Sequence, residues 1–302
     1  MASEQMEGLK KIMQQMMAKG LAPTFSGDIN PEVLRGVVET AQANMPIEPG
    51  VTFTSEKFGD MDAELSVPED AREDAVIIYI HGGGLICGNA KTSRGYASML
   101  AGETRLPCYA FSYRLAPEDP FPAAVDDCFE AYKTIIAKAP GKPIFLIGES
   151  GGAYLSIITA LKARDNGLQM PAGIIPYSPP IDMSGAIDRN HPKNKDFTIH
   201  PEGLDRLTDM YIPEGEDLKN PYISPYYADF KGMCPILLAW DITESLAPDS
   251  EILMEKAKDA GVLVYGKGYD DCFHAFATTG RGTPESADVL KDTVDFIYSH
   301  IG

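Results

Sequence analysis

An α/β architecture, with a mostly parallel sheet covered by helices on both faces, is predicted by two features of the chain. Continuous apolar runs recur at 75–80, Cys108 to Tyr113, 143–147, Ile174 to Tyr177, Ile236 to Trp240 and Val262 to Tyr265, as in strands buried on both faces. Helix-compatible stretches alternate with them, at 91–105, 123–138, 151–165, 249–260 and 284–300. Strand-like runs extend from residue 51 to residue 269 with no Gly/Ser-rich or Pro-rich linker between them, which favours one catalytic-size domain over two.

The elements follow in order. Residues 4–19 place Met6, Leu9, Ile12, Met13, Met16 and Met17 at spacings of three and four, an amphipathic helix. A second helix follows Pro31, with Val33, Leu34, Val37 and Val38 on its apolar side. Both precede the first strand, so they are free either to cover a pocket, which flexible methionines would suit, or to pack on the body of the fold. Val51 to Leu65 alternates loosely and suits an antiparallel pair. The segment 183–220 breaks the α/β alternation with prolines, polar residues and one helical piece near Glu202 to Tyr211. It is expected to be an insertion at the C-terminal edge of the sheet, where open α/β folds bind ligands.

Two of the apolar runs end in glycine-rich turns. Ala75 to Ile80 leads into His81-Gly82-Gly83-Gly84, and Pro143 to Ile147 leads into Gly148-Glu149-Ser150-Gly151-Gly152. The second is a G-x-S-x-G turn between a buried strand and a helix, the context that lifts a serine Oγ above the sheet edge as a nucleophile. Amides of Gly83, Gly84 and Gly151 are candidates for an oxyanion site, since glycine permits close backbone approach. His81 and Gly82 are expected to anchor that loop, and Glu149 to orient either the serine turn or the loop Tyr113-Arg114-Leu115-Ala116-Pro117-Glu118.

A serine hydroxyl needs a base, and the base needs an acidic partner. Of the five histidines, His81 belongs to the glycine loop, His191 and His200 to the insertion and His300 to the last helix. His274, on a loop after the run 262–265, is therefore the candidate base. Asp241 and Glu244 both follow the strand 236–240, and proximity does not separate them. Asp249 is expected in the first turn of the next helix, where a negative charge suits the helix dipole.

Charge and cysteine usage narrow the partners. A net charge of -18 disfavours nucleic acid and anionic membrane surfaces. No basic-then-apolar leader opens the sequence, and no run of roughly eighteen apolar residues is present. The five cysteines lack metal-like or redox spacing, which suggests reduced thiols and a cytoplasmic location.

The motifs together resemble those of the hormone-sensitive-lipase-like, or bacterial family IV, esterases of the α/β-hydrolase fold. The resemblance rests on His81-Gly82-Gly83-Gly84, on Tyr113-Arg114-Leu115-Ala116-Pro117-Glu118 followed by Pro120-Phe121-Pro122-Ala123-Ala124, on the turn at Ser150, and on His274-Ala275-Phe276. The Tyr-Arg-Leu-Ala-Pro-Glu hexapeptide is the most specific of these, because turn chemistry alone does not demand it. The resemblance covers about residues 51–300 and extends more loosely to the N-terminal helices, which form part of a cap in the family. It implies an eight-stranded, mostly parallel sheet in a catalytic domain at 48–302, cap helices at 1–47 and a cap insertion at about 183–220.

Two departures stand out. The usual serine turn, Gly-Asp-Ser-Ala-Gly-Gly, has here Glu149 for the aspartate, Gly151 for the alanine and Ala153 for the last glycine. The usual Asp-Pro-Leu acid motif is missing, and Glu244-Ser245-Leu246 resembles a glutamate version of it, which makes Glu244 the acid and Asp241 the runner-up. The resemblance implies hydrolysis of small-molecule, short-chain carboxylic esters by Ser150, His274 and Glu244, without metal or cofactor. Amide, lactone or sugar-acetate hydrolysis in the same site is the alternative, and a non-catalytic ligand-binding relative is a more distant one. An unpaired edge strand near 262–265 leaves a homodimer open.

Overall fold

Eight strands build one sheet: β1 (Val51–Phe58), β2 (Met61–Pro68), β3 (Val76–Ile80), β4 (Cys108–Phe111), β5 (Ile144–Glu149), β6 (Gly173–Tyr177), β7 (Ile236–Asp241) and β8 (Val264–Tyr269). The order is β1-β2-β4-β3-β5-β6-β7-β8. β2 pairs antiparallel with β1 and β4, and every other pairing is parallel, with Ile78 opposite Leu146 and Leu146 opposite Ile174 at the centre. The computed structural model describes residues 2–27, 29–42 and 45–302; Met1, Asp28, Ala43 and Asn44, part of the segment 1–47 assigned to the cap, lie outside the described residues.

The central strands divide their side chains between two cores. Val76, Ile78 and Ile80 of β3 join one cluster, with Cys128 and Tyr132 of α4 (Ala123–Lys138), Leu155 and Ile158 of α5 (Gly151–Asp165) and Leu253 of α7 (Ala247–Asp259). Ile77 and Tyr79 join the other, with Tyr96 and Leu100 of α3 (Arg94–Thr104) and Val289 and Phe296 of α8 (Pro284–Ser299). Both faces are covered, which is why these strands read as unbroken apolar runs. No helix among the described residues is long and apolar enough to cross a membrane.

The edge strand differs from the expected run at 262–265. Leu263 and Tyr265 are 60% and 45% exposed, and pairing with β7 runs from Val264 to Tyr269. Its second half is Gly266-Lys267-Gly268, where a Cβ on Gly266 would lie 1.8 Å from the Leu238 carbonyl oxygen and one on Gly268 3.0 Å from the Trp240 ring. Close approach to β7 thus selects glycines, residues that an apolar-run criterion passes over. Among the described residues β8 pairs only with β7 and ends the sheet.

The N-terminal helices pack on the body of the fold and also help to cover a pocket: Met13, Val38 and Gln42 line the cavity that Ser150 and His274 share. α1 (Glu4–Ala18) buries Met6 in the core on the α3/α8 side, while Ile12 and Met16 stay exposed. Ser3 donates to the Glu285 carboxylate from its amide (2.6 Å) and hydroxyl (2.8 Å), and Lys10 Nζ donates to the Asp271 carbonyl (3.0 Å) and carboxylate (2.9 Å). α2 (Pro31–Gln42) buries Leu34, but Val33, expected on its apolar side, is 63% exposed. One residue step turns the helix by about 100°, and the face presented to the body is fixed instead by Arg35, which reaches the Ile86 carbonyl (2.8 Å), the Ala116 carbonyl (2.9 Å) and Glu118 (2.7 Å).

Between β6 and β7 the chain leaves the sheet, and the insertion carries one helix, α6 (Pro201–Tyr211). It is tied to the body by a buried ion pair. Arg189 donates to both oxygens of Asp249 (2.9 and 2.7 Å) and to the Asp182 carbonyl (2.6 Å), and the Asp249 side chain is fully buried. Asp249 does sit in the first turn of α7, as expected, and also accepts from the Ile181 amide at 2.8 Å. Replacing it by alanine leaves a buried guanidinium unpaired, and we expect a loss of about 3 kcal/mol in urea unfolding.

Candidate active site

Ser150 stands at the end of β5 with φ 53° and ψ -121°, and α5 begins at the next residue. The turn is as tight as its glycines suggest. A Cβ on Gly148 would lie 2.5 Å from the Gly152 carbonyl, and one on Gly152 would lie 1.9 Å from the Ile80 carbonyl oxygen. The Ser150 amide donates to the Tyr177 carbonyl at 2.9 Å, which pins the turn to β6. Gly151 opens α5, so its amide has no acceptor within the helix.

The glycine loop after β3 faces this turn. Gly83 (φ 104°) and Gly84 (φ 61°) lie in the left-handed region, and a Cβ on Gly151 would come within 3.5 Å of the Gly84 amide nitrogen. The loop closes through the Gly83 carbonyl, which accepts from Ile86 (3.1 Å) and Cys87 (3.2 Å), so the loop's own hydrogen bonds do not use the Gly83 and Gly84 amides. His81 is buried and stacked on Tyr113, with ring centroids 4.2 Å apart, and its Nδ1 lies 2.9 Å from the Gly82 carbonyl oxygen.

Glu149 is also bound to the glycine loop. One carboxylate oxygen accepts from the Gly82 amide (2.7 Å) and the other from the Tyr79 hydroxyl (2.6 Å), and burial pushes its pKa up to about 7 against these hydrogen bonds. Neither bond reaches the Tyr-Arg-Leu-Ala-Pro-Glu segment, one of the two roles open to it from sequence. That segment braces the loop from the other side. The Tyr113 hydroxyl donates to the His81 carbonyl (2.8 Å), while Arg114 is held by Asp127 (2.7 Å) and Glu118 by Arg35.

His274 and Glu244 meet in the interior. His274 Nδ1 lies 2.8 Å from Glu244 Oε2, and His274 Nε2 makes no hydrogen bond among the described residues. Ser150 and His274 both line one cavity. Burial pulls the imidazole pKa down, but the hydrogen bond and charge of Glu244 and the charges of Asp196 and Glu149 outweigh it, so the ring is raised above its ordinary value. For Glu244, burial raises the carboxyl more than His274 lowers it. The two groups titrate as a pair. Asp241 is directed elsewhere. It caps its own turn, accepting from the Thr243 amide (3.0 Å) and hydroxyl (2.7 Å).

The insertion holds the turn that carries Glu244. Lys195 donates its amide to the Thr243 carbonyl (2.8 Å), His191 Nε2 lies 2.8 Å from the Glu244 carbonyl oxygen, and Asp196 accepts from the Ser245 amide (3.0 Å). Asp196, Glu244 and His274 each bring one polar side-chain atom within 4.8 Å of the others. Asp196 was not anticipated from sequence. It follows no strand, and nothing in a polar, proline-interrupted segment marks which carboxylate turns inward.

Comparison with known proteins identifies the fold and the class of enzyme. Residues 77–278 match the model of a family described as alpha/beta hydrolase fold. An esterase of Acinetobacter venetianus is 28% identical over 90% of this chain and 90% of its own length. An acetyl-hydrolase of Streptomyces hygroscopicus is 29% identical over 92% of this chain and 93% of its own. A solved hormone-sensitive lipase from a metagenome library superposes with a TM-score of 0.88, at 32% identity, over 100% of this chain and 99% of that one. The chain belongs to the α/β hydrolase fold family and, within it, to the hormone-sensitive-lipase-like ester hydrolases.

Proposed function

We propose that the protein is a serine carboxylesterase of short-chain acyl esters, working through Ser150, His274 and Glu244 and an acyl-enzyme intermediate. The observation that carries this reading is His274, bonded at one nitrogen to a buried carboxylate and open at the other, in the cavity it shares with Ser150. His274 Nε2 takes the Ser150 proton as Oγ attacks the ester carbonyl, then returns it to the departing alcohol. Water then attacks the acyl-enzyme with His274 again as base, the bond from the acyl carbon to Ser150 Oγ breaks as His274 returns the proton to that oxygen, and the carboxylic acid leaves. Amides of Gly83, Gly84 and Gly151 receive the oxyanion, each contributing about 3 kcal/mol to the transition state. Glu149 holds Gly82 and thereby sets the loop that presents those amides. The scheme uses no metal or cofactor.

Short acyl chains are favoured by a small apolar cavity of about 30 Å³ beside the oxyanion amides, lined by Gly84, Leu85, Gly151, Leu204, Leu207 and Tyr211 among others. The acetyl-hydrolase name of one relative points the same way. The test is a p-nitrophenyl ester series. Acetate and butyrate are expected to be turned over with kcat/KM at least about 100-fold above palmitate, since several methylenes are left without a pocket at about 0.8 kcal/mol each. Equal turnover of palmitate would reject the short-chain assignment, and no turnover of any ester by folded protein would move the reading to amide hydrolysis or ligand binding.

A further inference from the structure

Ser150 lies where two cavities meet: the small apolar one and a larger one of about 190 Å³ that contains His274. A base that returns its proton to the departing oxygen lies on the leaving group's side of the tetrahedral centre. The larger cavity therefore receives the alcohol, an assignment that rests on the function proposed above.

Apart from Ser150 itself, the hydroxyl groups on its wall have already donated their hydrogens, and the one side-chain amide there, Gln42, is exposed. Ser93 Oγ and Thr92 Oγ1 both donate to the Asn89 carbonyl (2.9 Å each), Thr198 Oγ1 to the Asp196 carboxylate (2.7 Å) and Thr278 Oγ1 to the Ala275 carbonyl (2.9 Å). A hydroxyl has one hydrogen, so lone pairs are what these four have left. His81 completes the set. Its Nδ1 faces a carbonyl oxygen and must carry the ring hydrogen, burial keeps the ring neutral with a pKa of about 4, and Nε2 is a buried lone pair with no partner. The Tyr79 hydroxyl on the same wall is likewise spent, on Glu149.

We infer that this cavity recognises an alcohol that donates hydrogen bonds: the leaving group of the preferred ester carries free hydroxyl groups besides the esterified oxygen, as in a diol or polyol monoester. A plain alkyl group would fill the space and leave His81 Nε2 and the wall oxygens unmatched. A hydroxylated chain of the same length supplies the missing hydrogens, and a site built to bond a substrate hydroxyl discriminates strongly against the analogue lacking it.

The experiment compares 2,3-dihydroxypropyl butanoate with propyl butanoate, which share an acyl group, and corrects their kcat/KM ratio for the relative rates of the two esters with hydroxide. We expect the wild type to prefer the dihydroxy ester about tenfold or more, and Ser93→Ala and Thr278→Val each to reduce that ratio about threefold, the effect of one neutral hydrogen bond. Having two independent variants guards against one of them failing to fold. A corrected ratio near one, with propyl butanoate hydrolysed, overturns the inference and leaves the esterase standing. A high ratio that neither folded variant changes overturns the assignment to this wall. Failure to hydrolyse either ester overturns both readings.

Discussion

Ser150→Ala is expected to fold as the wild type does and to lose about 10⁴- to 10⁶-fold in kcat on p-nitrophenyl butyrate, the range seen when the nucleophile of a serine hydrolase is removed. Stability should hardly change. Alanine keeps the Cβ that already tolerates φ 53°, and the turn is fixed by backbone features: the Gly148 and Gly152 contacts and the Ser150 amide bond to Tyr177. The substitution therefore separates chemistry from architecture. Circular dichroism and the urea midpoint check the second while kinetics checks the first. Retention of more than about one per cent of the activity would mean that another group attacks the ester.

Glu244→Gln is the second large effect, with an expected loss of roughly 10⁴-fold in kcat, as when the acid of such a triad becomes an amide. Asp241→Asn, by contrast, weakens the Thr243 turn and the carboxylate's bond from the Cys272 backbone, and should cost less than about tenfold together with about 1 kcal/mol of stability. The pH profile gives a second readout. In the wild type burial is outweighed by Glu244 together with the charges of Asp196 and Glu149, so His274 stays protonated above its ordinary 6.5 and the acid limb of kcat/KM lies above that value. Removing the Glu244 charge takes away the largest of the influences that oppose burial. The limb of the residual Glu244→Gln activity should then move to lower pH, whereas the Asp241→Asn limb should stay close to that of the wild type. The reverse pattern would make Asp241 the acid.

How far the sequence carried depended on how local each cause was. β3, β5, β6 and β7 were legible because burial on both faces keeps a strand apolar up to its last residue, and the turn at Ser150 was legible because Gly148 answers to the nearby Gly152 carbonyl and the strand before it and helix after it are local. Proximity alone left Glu244 and Asp241 unresolved, since both follow β7, and the family resemblance favoured Glu244. In the fold, Glu244 reaches His274 and Asp241 turns back on Thr243. What escaped were interactions whose partners lie far along the chain. Asp196 beside Glu244, Lys10 on the His274 loop at Asp271 and Arg35 on the loop before α4 are each one charged residue among many in a chain with 44 acidic and 26 basic residues. Composition does not say which of them turn inward. The shift of β8 had a different origin, because its glycines answer to the Leu238 backbone and Trp240, and local hydropathy carries no trace of that contact.

The central claim is that Ser150 is a nucleophile activated by His274. The most direct test is to treat the folded wild-type protein with a fluorophosphonate and map the modified peptide by mass spectrometry. The account predicts one phosphonyl group per chain, on Ser150, with concurrent loss of ester hydrolysis, and a much slower reaction in a folded His274→Ala variant. An unmodified Ser150, or labelling that proceeds at the same rate without His274, would contradict it.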